Sequence, residues 1–456
     1  EKMLYDNALL ATVYLEAFLA TGDANYQRVA RETLDYVLRD MTDPAGGFYS
    51  TEDADSPPHD LLGVGPAGEP GGPNEEGLFY TWKPEEVRKV LGGRSDDDGL
   101  AEQFCRVYDV TPLGNFEGRS ILNLPKTPAQ QAAVLGAEAG ALGEQLAASR
   151  AKLLAARDSR PRPGRDDKVL AAWNGLMIDA MARAGAALGE PRYVEAARGA
   201  ADFILGSMRD GSGRLLHTWR GGAATLDAYL DDYAAVANGL VSLYEATLLT
   251  EPDERYLDAA AELLDAVLAR FADAERGGFF YTADDHEALI TRNRDLTDNA
   301  TPGGNSLAAT ALVRLGKLTG RADYLDAAHG ILRAASPLLE RMPMATGQML
   351  IALDLWLGPT RELLLVGDDG TAAAAIHRRF LPRRVVASRH SSAAEGRSKL
   401  LDAAFAGKDA AADVSTADGS KADGSKADGA TLFACQDHAC GEPATGGAIA
   451  DAIAKL

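Results

Sequence analysis

Cysteine is scarce in this chain: Cys105, Cys435 and Cys440 are the three in 456 residues. That excludes a small disulfide-stapled fold and points to a reducing, cytoplasmic setting. Lysine is scarce as well, 12 against 34 arginines, and acids outnumber bases 67 to 46 for a formal charge of −21. A surface this acidic argues against nucleic acid or an anionic membrane as the main partner. No stretch of 18 apolar residues lacks a charge, which argues against a helical membrane span. There is no phosphate loop, and the seven histidines show no metal-ligand spacing. No cofactor and no metal are therefore expected. In Cys435-Gln-Asp-His438-Ala-Cys440 four residues lie between the cysteines, so neither a zinc pair nor the Cys-x-x-Cys redox spacing is present. They read as strand-end cysteines without a metal. The lack of an acidic Asp-Asp-x-x-Asp run argues against metal–diphosphate prenyl chemistry.

What is abundant is one helix-turn phrase. It recurs at Gly-Asp-Ala-Asn-Tyr26, Gly-Glu-Pro-Arg-Tyr193, Asp-Glu-Arg-Tyr256 and Gly-Arg-Ala-Asp-Tyr324, each time after one Ala/Leu-rich helix and at the start of another. The last three tyrosines are 63 and 68 residues apart, room for two long helices and a loop. A helical hairpin cannot bury its apolar face alone, so the repeats must stack. Gly46-Gly47-Phe48-Tyr49 and Gly277-Gly278-Phe279-Phe280-Tyr281 end two units in extended segments, and Gly211–Thr218 is a looser version. Loops leaving the same end of each hairpin would gather polar residues on one face.

The fold class expected is mainly α: an (α/α)6 toroid of hairpins over 1–357, with a small α/β region at 358–456. Residues 50–125 read as a long irregular loop insertion, containing a strand at Gly77–Trp82 and a helix starting at Lys83-Pro84. In the last region Glu362–Val366, Arg384–Ser388 and Ala430–Ala434 read as strands, Ala372–Phe380 and Gly446–Leu456 as helices. The Ala-Asp-Gly-Ser-Lys tract at about 412–429 reads as a flexible loop.

Carboxylates cluster in the repeat loops. Glu52, Asp53 and Asp55 follow the first Gly-Gly-Phe-Tyr49 segment; paired carboxylates can divide into acid and base, or form a solvated turn. Asp166-Asp167-Lys168 precedes Trp173-Asn174, where Trp offers a stacking face and Asn a donor and an acceptor, a pairing suited to a sugar. Asp166 and Asp231 could instead cap helices, and Ser306 likewise. Asp231-Asp232-Tyr233 opens one helix, and the loop Asp298-Asn299…Gly303-Gly304-Asn305 precedes another. Asp53, Asp55, Asp167 and Asp232 are the expected acid/base carboxylates. Tyr49, Glu52, Lys168, Trp173, Asn174, Asp231, Tyr233, Asp298 and Asn305 are the expected ligand-binding residues. His217, read as the one histidine in a repeat loop, is a base or a structural residue.

Glu1-Lys-Met-Leu-Tyr-Asp6, Glu-Asp-Ala-Asp55-Ser, Glu76-Gly-Leu-Phe-Tyr-Thr-Trp82, Gly114-Asn-Phe-Glu117-Gly, Asp166-Asp-Lys-Val-Leu-Ala-Ala-Trp-Asn-Gly-Leu-Met177, Leu230-Asp-Asp-Tyr-Ala and Pro302-Gly-Gly-Asn-Ser together resemble a thioredoxin-fused family of spermatogenesis-associated and bacterial proteins. The resemblance implies a thioredoxin-like domain ahead of the barrel, which this sequence is expected to lack together with the first barrel helix. It also implies a six-hairpin α/α barrel similar to those of N-acylglucosamine 2-epimerases and several glycoside hydrolases. Gly303 stands where the family pattern has Ser. The function so implied is carbohydrate-related, an epimerase/isomerase or a glycosidase with a sugar-like ligand. The alternative is a non-catalytic scaffold acting with the thioredoxin-like domain on a protein client.

Overall fold

The computed structural model describes residues 1–58, 73–92, 99–389, 397–408 and 429–456. The Ala-Asp-Gly-Ser-Lys tract, Gly429 apart, lies outside the described residues. In chain order the helices are α1 (Leu4–Thr21), α2 (Ala24–Asp40), α3 (Pro84–Leu91), α4 (Leu100–Val107), α5 (Pro128–Leu135), α6 (Ala139–Arg157), α7 (Ala171–Leu188), α8 (Pro191–Ser207), α9 (Leu230–Thr247), α10 (Arg255–Arg270), α11 (Gly304–Thr319), α12 (Ala322–Arg341), α13 (Gly347–Leu357), α14 (Thr371–His377), α15 (Asp402–Phe405) and α16 (Ala448–Lys455). By packing the chain forms two units: a helical unit, Met3–Ser50 with Asp167–Leu456, and an insert unit, Glu1–Lys2 with Thr51–Asp166. The expected boundary at 357/358 is not the division observed, because Leu363, Leu365, Val385 and Phe433 of the C-terminal strands share one core with the helices.

The helical unit is built from hairpins α1/α2, α7/α8, α9/α10 and α11/α12, followed by α13. α1, α7, α9, α11 and α13 pack side by side in that order as an inner row. α7, α9 and α11 are apolar and small-residue-rich on nearly every face, as helices enclosed on all sides must be. At the α7/α9 crossing a Cβ on Gly175 would stand 2.4 Å from the Ala235 carbonyl carbon, so only glycine permits this approach. The architecture is the expected toroid of α/α hairpins with small C-terminal sheets.

The repeated tyrosine phrase holds the outer helices together. The hydroxyls of Tyr193, Tyr256 and Tyr324 donate to Asp35, Asp202 and Asp265 of the preceding outer helix at 2.6, 3.0 and 2.8 Å. Each carboxylate also pairs with the arginine nearest before that tyrosine: Arg192, Arg255 and Arg321. Each guanidinium lies over its tyrosine ring, at 4.7, 4.7 and 4.0 Å from the centroid. Tyr26, in the first copy, is exposed and meets the Tyr14 ring instead.

Three labelled strands belong to the loops before α7 and α9: β1 (Val169–Leu170), β2 (Leu216–Arg220) and β3 (Ala223–Asp227), in the order β1-β2-β3. The C-terminal sheet contains β4 (Arg361–Val366), β5 (Arg384–Arg389), parallel to it, and β6 (Thr431–Gln436), antiparallel to it. The expected strands at 362–366, 384–388 and 430–434 are therefore present, each shifted or lengthened by a residue or two.

The stretch 50–125 is not the irregular loop expected: it contributes α3 and α4 to a folded unit with α5 and α6, which lie in 128–158, a stretch that reads as helical from sequence. α3–α6 enclose their own core of Trp82, Val87, Phe104, Leu142 and Leu153. Gly77–Trp82, expected as a strand, is a hydrogen-bonded turn in which Thr81 N reaches Gly77 O at 3.0 Å. The buried Arg160 explains it: its guanidinium collects the carbonyls of adjacent Leu78 and Phe79 at 3.3 and 2.6 Å, which a strand would direct to opposite sides. The helix expected from Pro84 is α3.

The tyrosine bridges predict a graded pattern. Tyr193→Phe, Tyr256→Phe and Tyr324→Phe should each cost about 1 kcal/mol of unfolding free energy in urea, and Tyr26→Phe close to none. Equal effects at all four positions would contradict the bridge.

Candidate functional site

The amino ends of the inner helices carry unsatisfied N–H groups and positive dipole ends, so carboxylates collect there. Asp232, fully buried, serves two helices at once. Its Oδ1 accepts Ala172 N at the start of α7 (2.9 Å), and its Oδ2 accepts Tyr229 N at the start of α9 (2.9 Å). Oδ2 also meets His217 Nδ1, on β2, at 2.8 Å. Asp298 repeats the device one hairpin on, taking Gly303 N before α11 and Gln348 N in α13, both at 2.8 Å.

Because Asp232 accepts, the proton of a neutral His217 sits on Nδ1 and the lone pair on Nε2. Burial lowers the His217 pKa, but the hydrogen bond to Asp232 and the charges of Asp232 and Asp231 outweigh it, leaving the imidazole above its ordinary value. Asp231, next to Asp232, is pushed up from 3.8 to about 7, by burial first and then by the Asp232 carboxylate. The Tyr281 hydroxyl is raised by burial and then by the charges of Asp231 and Asp232. Leu230 N donates to Tyr281 O at 3.0 Å, which ties this loop to the start of α9. Tyr229 stacks on Tyr281 with centroids 4.8 Å apart and rings 8° from parallel. His217 and His286 both meet Tyr229 edge-on, at 5.2 and 5.6 Å. His286, in the loop before α11, is a second repeat-loop histidine, and burial followed by Arg214 lowers its pKa.

The structure thus brings Asp231 and Asp232 together with His217, Tyr229 and Tyr281; Lys168 adds its charge to His217. Other expectations are corrected. Asn174 and Asn305 are buried clamps, not ligand contacts. Asn174 accepts Phe48 N (2.8 Å) and donates to Phe48 O (2.9 Å) and Leu170 O (3.0 Å). Asn305 does the same with Phe279 N and O and with Asp295 O. Tyr233 is at the corresponding position of α9: it is buried and packs on Phe271. Phe48 and Phe279 are the bridge residues at equivalent helix-end turns, so the two asparagines fix loop backbone. Tyr49 is buried with its N–H on Met41 O. Asp298 is committed to two helix ends, and Asp167 pairs with Arg220 at 2.6 Å. Trp173 is half-buried, edge-on to Tyr5 at 4.8 Å. Asp166 lies in a two-residue strand and Ser306 is buried within α11, so neither is an N-cap. Asp231 is not the cap residue either; Tyr229 holds that position and Asp232 satisfies its N–H.

Glu52, Asp53 and Asp55 belong to the insert unit. Glu52 is buried and accepts the Tyr80 hydroxyl at 2.9 Å; Asp53 is exposed, and its carboxylate takes Asp55 N at 3.4 Å.

A cavity of about 460 Å³ lies farther along the inner row, lined by Asp179 and Arg183 of α7, Asn238 and Glu245 of α9, and Arg314 of α11 among others. His217 is not in its wall. Its charges satisfy one another: Arg314 reaches Asn238 Oδ1 at 2.8 Å, Ser242 Oγ at 2.9 Å and Glu245 Oε2 at 3.2 Å. Among the described residues no group of three or more His, Cys, Asp or Glu side chains is arranged to hold a metal, and no helix is long and apolar enough to cross a membrane.

The chain is similar to spermatogenesis-associated protein 20 of Homo sapiens, 34% identical over 415 residues, 85% of the chain and 51% of that protein. An uncharacterized Caenorhabditis elegans protein is 28% identical over 389 residues, 81% of the chain and 51% of its own length. The chain spans about half the length of the curated relatives it matches. No family model matches it. Among solved structures, a D-mannose isomerase aligns with 74% of the chain and 76% of its own at 14% identity and TM-score 0.36. A glycoside hydrolase family 76 mannosidase from Bacteroides thetaiotaomicron aligns with 73% of the chain and 71% of its own at 14% identity and TM-score 0.31.

A carboxyl with a raised folded-state pKa holds its proton more tightly in the folded chain. Its contribution therefore favours folding at low pH and is lost as pH climbs from the unfolded value of about 4 to the folded value of about 7. Asp231→Asn removes that loss, so the melting temperature of the variant relative to wild type should rise by about 2 °C or more between about pH 4.5 and pH 8. A difference that stays flat over this range would contradict the raised pKa.

Proposed function

We propose that the helical unit is an acid–base enzyme for a hydroxyl-rich, sugar-like small molecule, transferring a proton at a carbon next to a carbonyl as in isomerisation or epimerisation. The observation that carries this is the hydrogen bond from His217 Nδ1 to the buried Asp232, whose two oxygens are already anchored by backbone N–H groups. Asp232 cannot turn away from the imidazole without breaking two helix starts. It therefore orients His217 and stabilises the imidazolium formed when Nε2 takes a proton. Asp231, with a pKa near neutrality and its charge felt by Tyr281, is suited to give or share a proton at the substrate oxygen. The Tyr229–Tyr281 stack supplies a flat wall of the kind that packs against a sugar ring. Asp53, Asp55 and Asp167 have no proton-transfer step in this reading.

Glycoside hydrolysis has less support. It needs two carboxylates presented to the substrate, and Asp232 has both oxygens engaged within the fold.

The test is incubation of the chain with aldoses, ketoses and their 2-epimers, followed by chromatography and by solvent deuterium incorporation at the carbon beside the carbonyl. Wild type is expected to interconvert one pair and incorporate deuterium. His217→Gln should lower that rate by about 10²–10⁴-fold with its melting temperature retained. Turnover unaffected by His217→Gln, or neither binding nor exchange with any sugar at millimolar levels, would contradict the assignment.

A further inference from the structure

Cys435 and Cys440 are joined across the turn that ends β6. In an otherwise cysteine-poor chain this bond needs an explanation. The sequence separation is five, and the segment it closes is already paired as a β-hairpin, so the cross-link removes little further freedom from the unfolded chain. Its two sulfurs are also unequal: Cys435 is buried at 3% exposure, whereas Cys440 is exposed. Cys435 stands opposite Glu362 of β4 in antiparallel register, so their side chains leave the sheet on one face. Glu362 is 2% exposed. Its Oε2 meets His438 N and His438 Nδ1, both at 3.1 Å, while Oε1 is buried with no hydrogen-bond partner. A buried, half-satisfied carboxyl beside the buried half of a disulfide is costly for a purely structural link. It is useful where a thiolate must gain and lose a proton out of contact with water. Both turn residues, Asp437 and His438, have positive φ, 49° and 64°, which presents Cys440 at the turn's exit.

We propose that Cys435–Cys440 is a redox-active pair that exchanges with an external dithiol, with Glu362 as the proton relay of the buried cysteine; this goes beyond the acid–base reading and does not depend on it. One thiolate of the dithiol attacks Cys440 Sγ, the accessible sulfur, forming a mixed disulfide and breaking the Cys435–Cys440 bond. The electron pair leaves on Cys435 Sγ, which takes its proton through Glu362. The dithiol's second thiolate then attacks its own sulfur in the mixed disulfide, releasing Cys440 as a thiolate that is protonated from water. Two electrons pass from the dithiol, which becomes a disulfide, to the protein, which becomes a dithiol. Oxidation runs the same steps in reverse.

The test equilibrates the full chain in dithiothreitol buffers of graded reduced-to-oxidised ratio, without denaturant, then alkylates it and maps the labels by mass spectrometry. The expected result is a reversible two-electron transition at Cys435 and Cys440 with the helical circular dichroism signal retained. Cys440 should label first, and the buried Cys105 is the internal control for unfolding. Glu362→Gln is expected to slow native-state reduction at least about tenfold, and Glu362→Asp to restore part of the rate. Labelling of the pair only when Cys105 also labels would show a sealed structural bond and overturn the proposal. Two thiols that never join under oxidising buffer would overturn it as well. Unchanged rates in Glu362→Gln would remove the relay from the mechanism.

Discussion

The Asp232 carboxylate is the constraint on which the site depends. It has no exposed surface, and a buried charge of this kind survives only when hydrogen bonds replace the lost water. Three groups do so: the backbone N–H groups of Ala172 and Tyr229, and the Nδ1 of His217. The two N–H groups belong to the starts of adjacent inner helices, so the carboxylate registers α7 against α9 and benefits from both positive dipole ends. The third contact then costs the fold little and aims a titratable ring. In the proposed reaction, stability and chemistry would draw on the same two oxygens.

Asp298 shows the device without the histidine. It joins the loop before α11 to α13 through Gly303 N and Gln348 N, and no imidazole among the described residues completes it. The comparison separates what the ring of hairpins requires from what has been added. A carboxylate between helix starts is architecture; His217, Asp231 and Tyr281 around one of them are an addition that architecture does not need. Burial, and after it the adjacent Asp232 carboxylate, raises the pKa of Asp231; burial and then both carboxylates raise that of Tyr281. Such mutual perturbation is the electrostatic signature expected where protons move.

The hairpin architecture was legible because it is periodic. Tyr193, Tyr256 and Tyr324 recur since each must reach an aspartate on the preceding outer helix, and a repeated contact leaves a repeated phrase. The candidate site was legible only in part. Asp231 and Asp232 stood out as adjacent acids at a helix start. His217 was visible, but nothing in a spacing of 15 residues says that β2 returns its ring to Asp232. Tyr229, Tyr281 and His286 were missed as a group because their meeting is made by loop packing. One signal was available: His286, like His217, lies in a loop that leads to an inner helix.

Asn174 and Asn305 were misread for a physical reason. An amide that completes a backbone turn and an amide that binds a sugar are the same donor–acceptor pair in sequence, and burial alone separates them. The 50–125 part of the insert unit was obscured by its glycine and proline content, which resembles loop until Arg160 is seen gathering carbonyls inside a small core. The most direct measurement of the central claim is a ¹⁵N-resolved NMR titration of the His217 imidazole in the full chain. The account predicts a neutral ring protonated on Nδ1 and a pKa above the ordinary 6.5. A ring protonated on Nε2, or a pKa at or below 6.5, would contradict it.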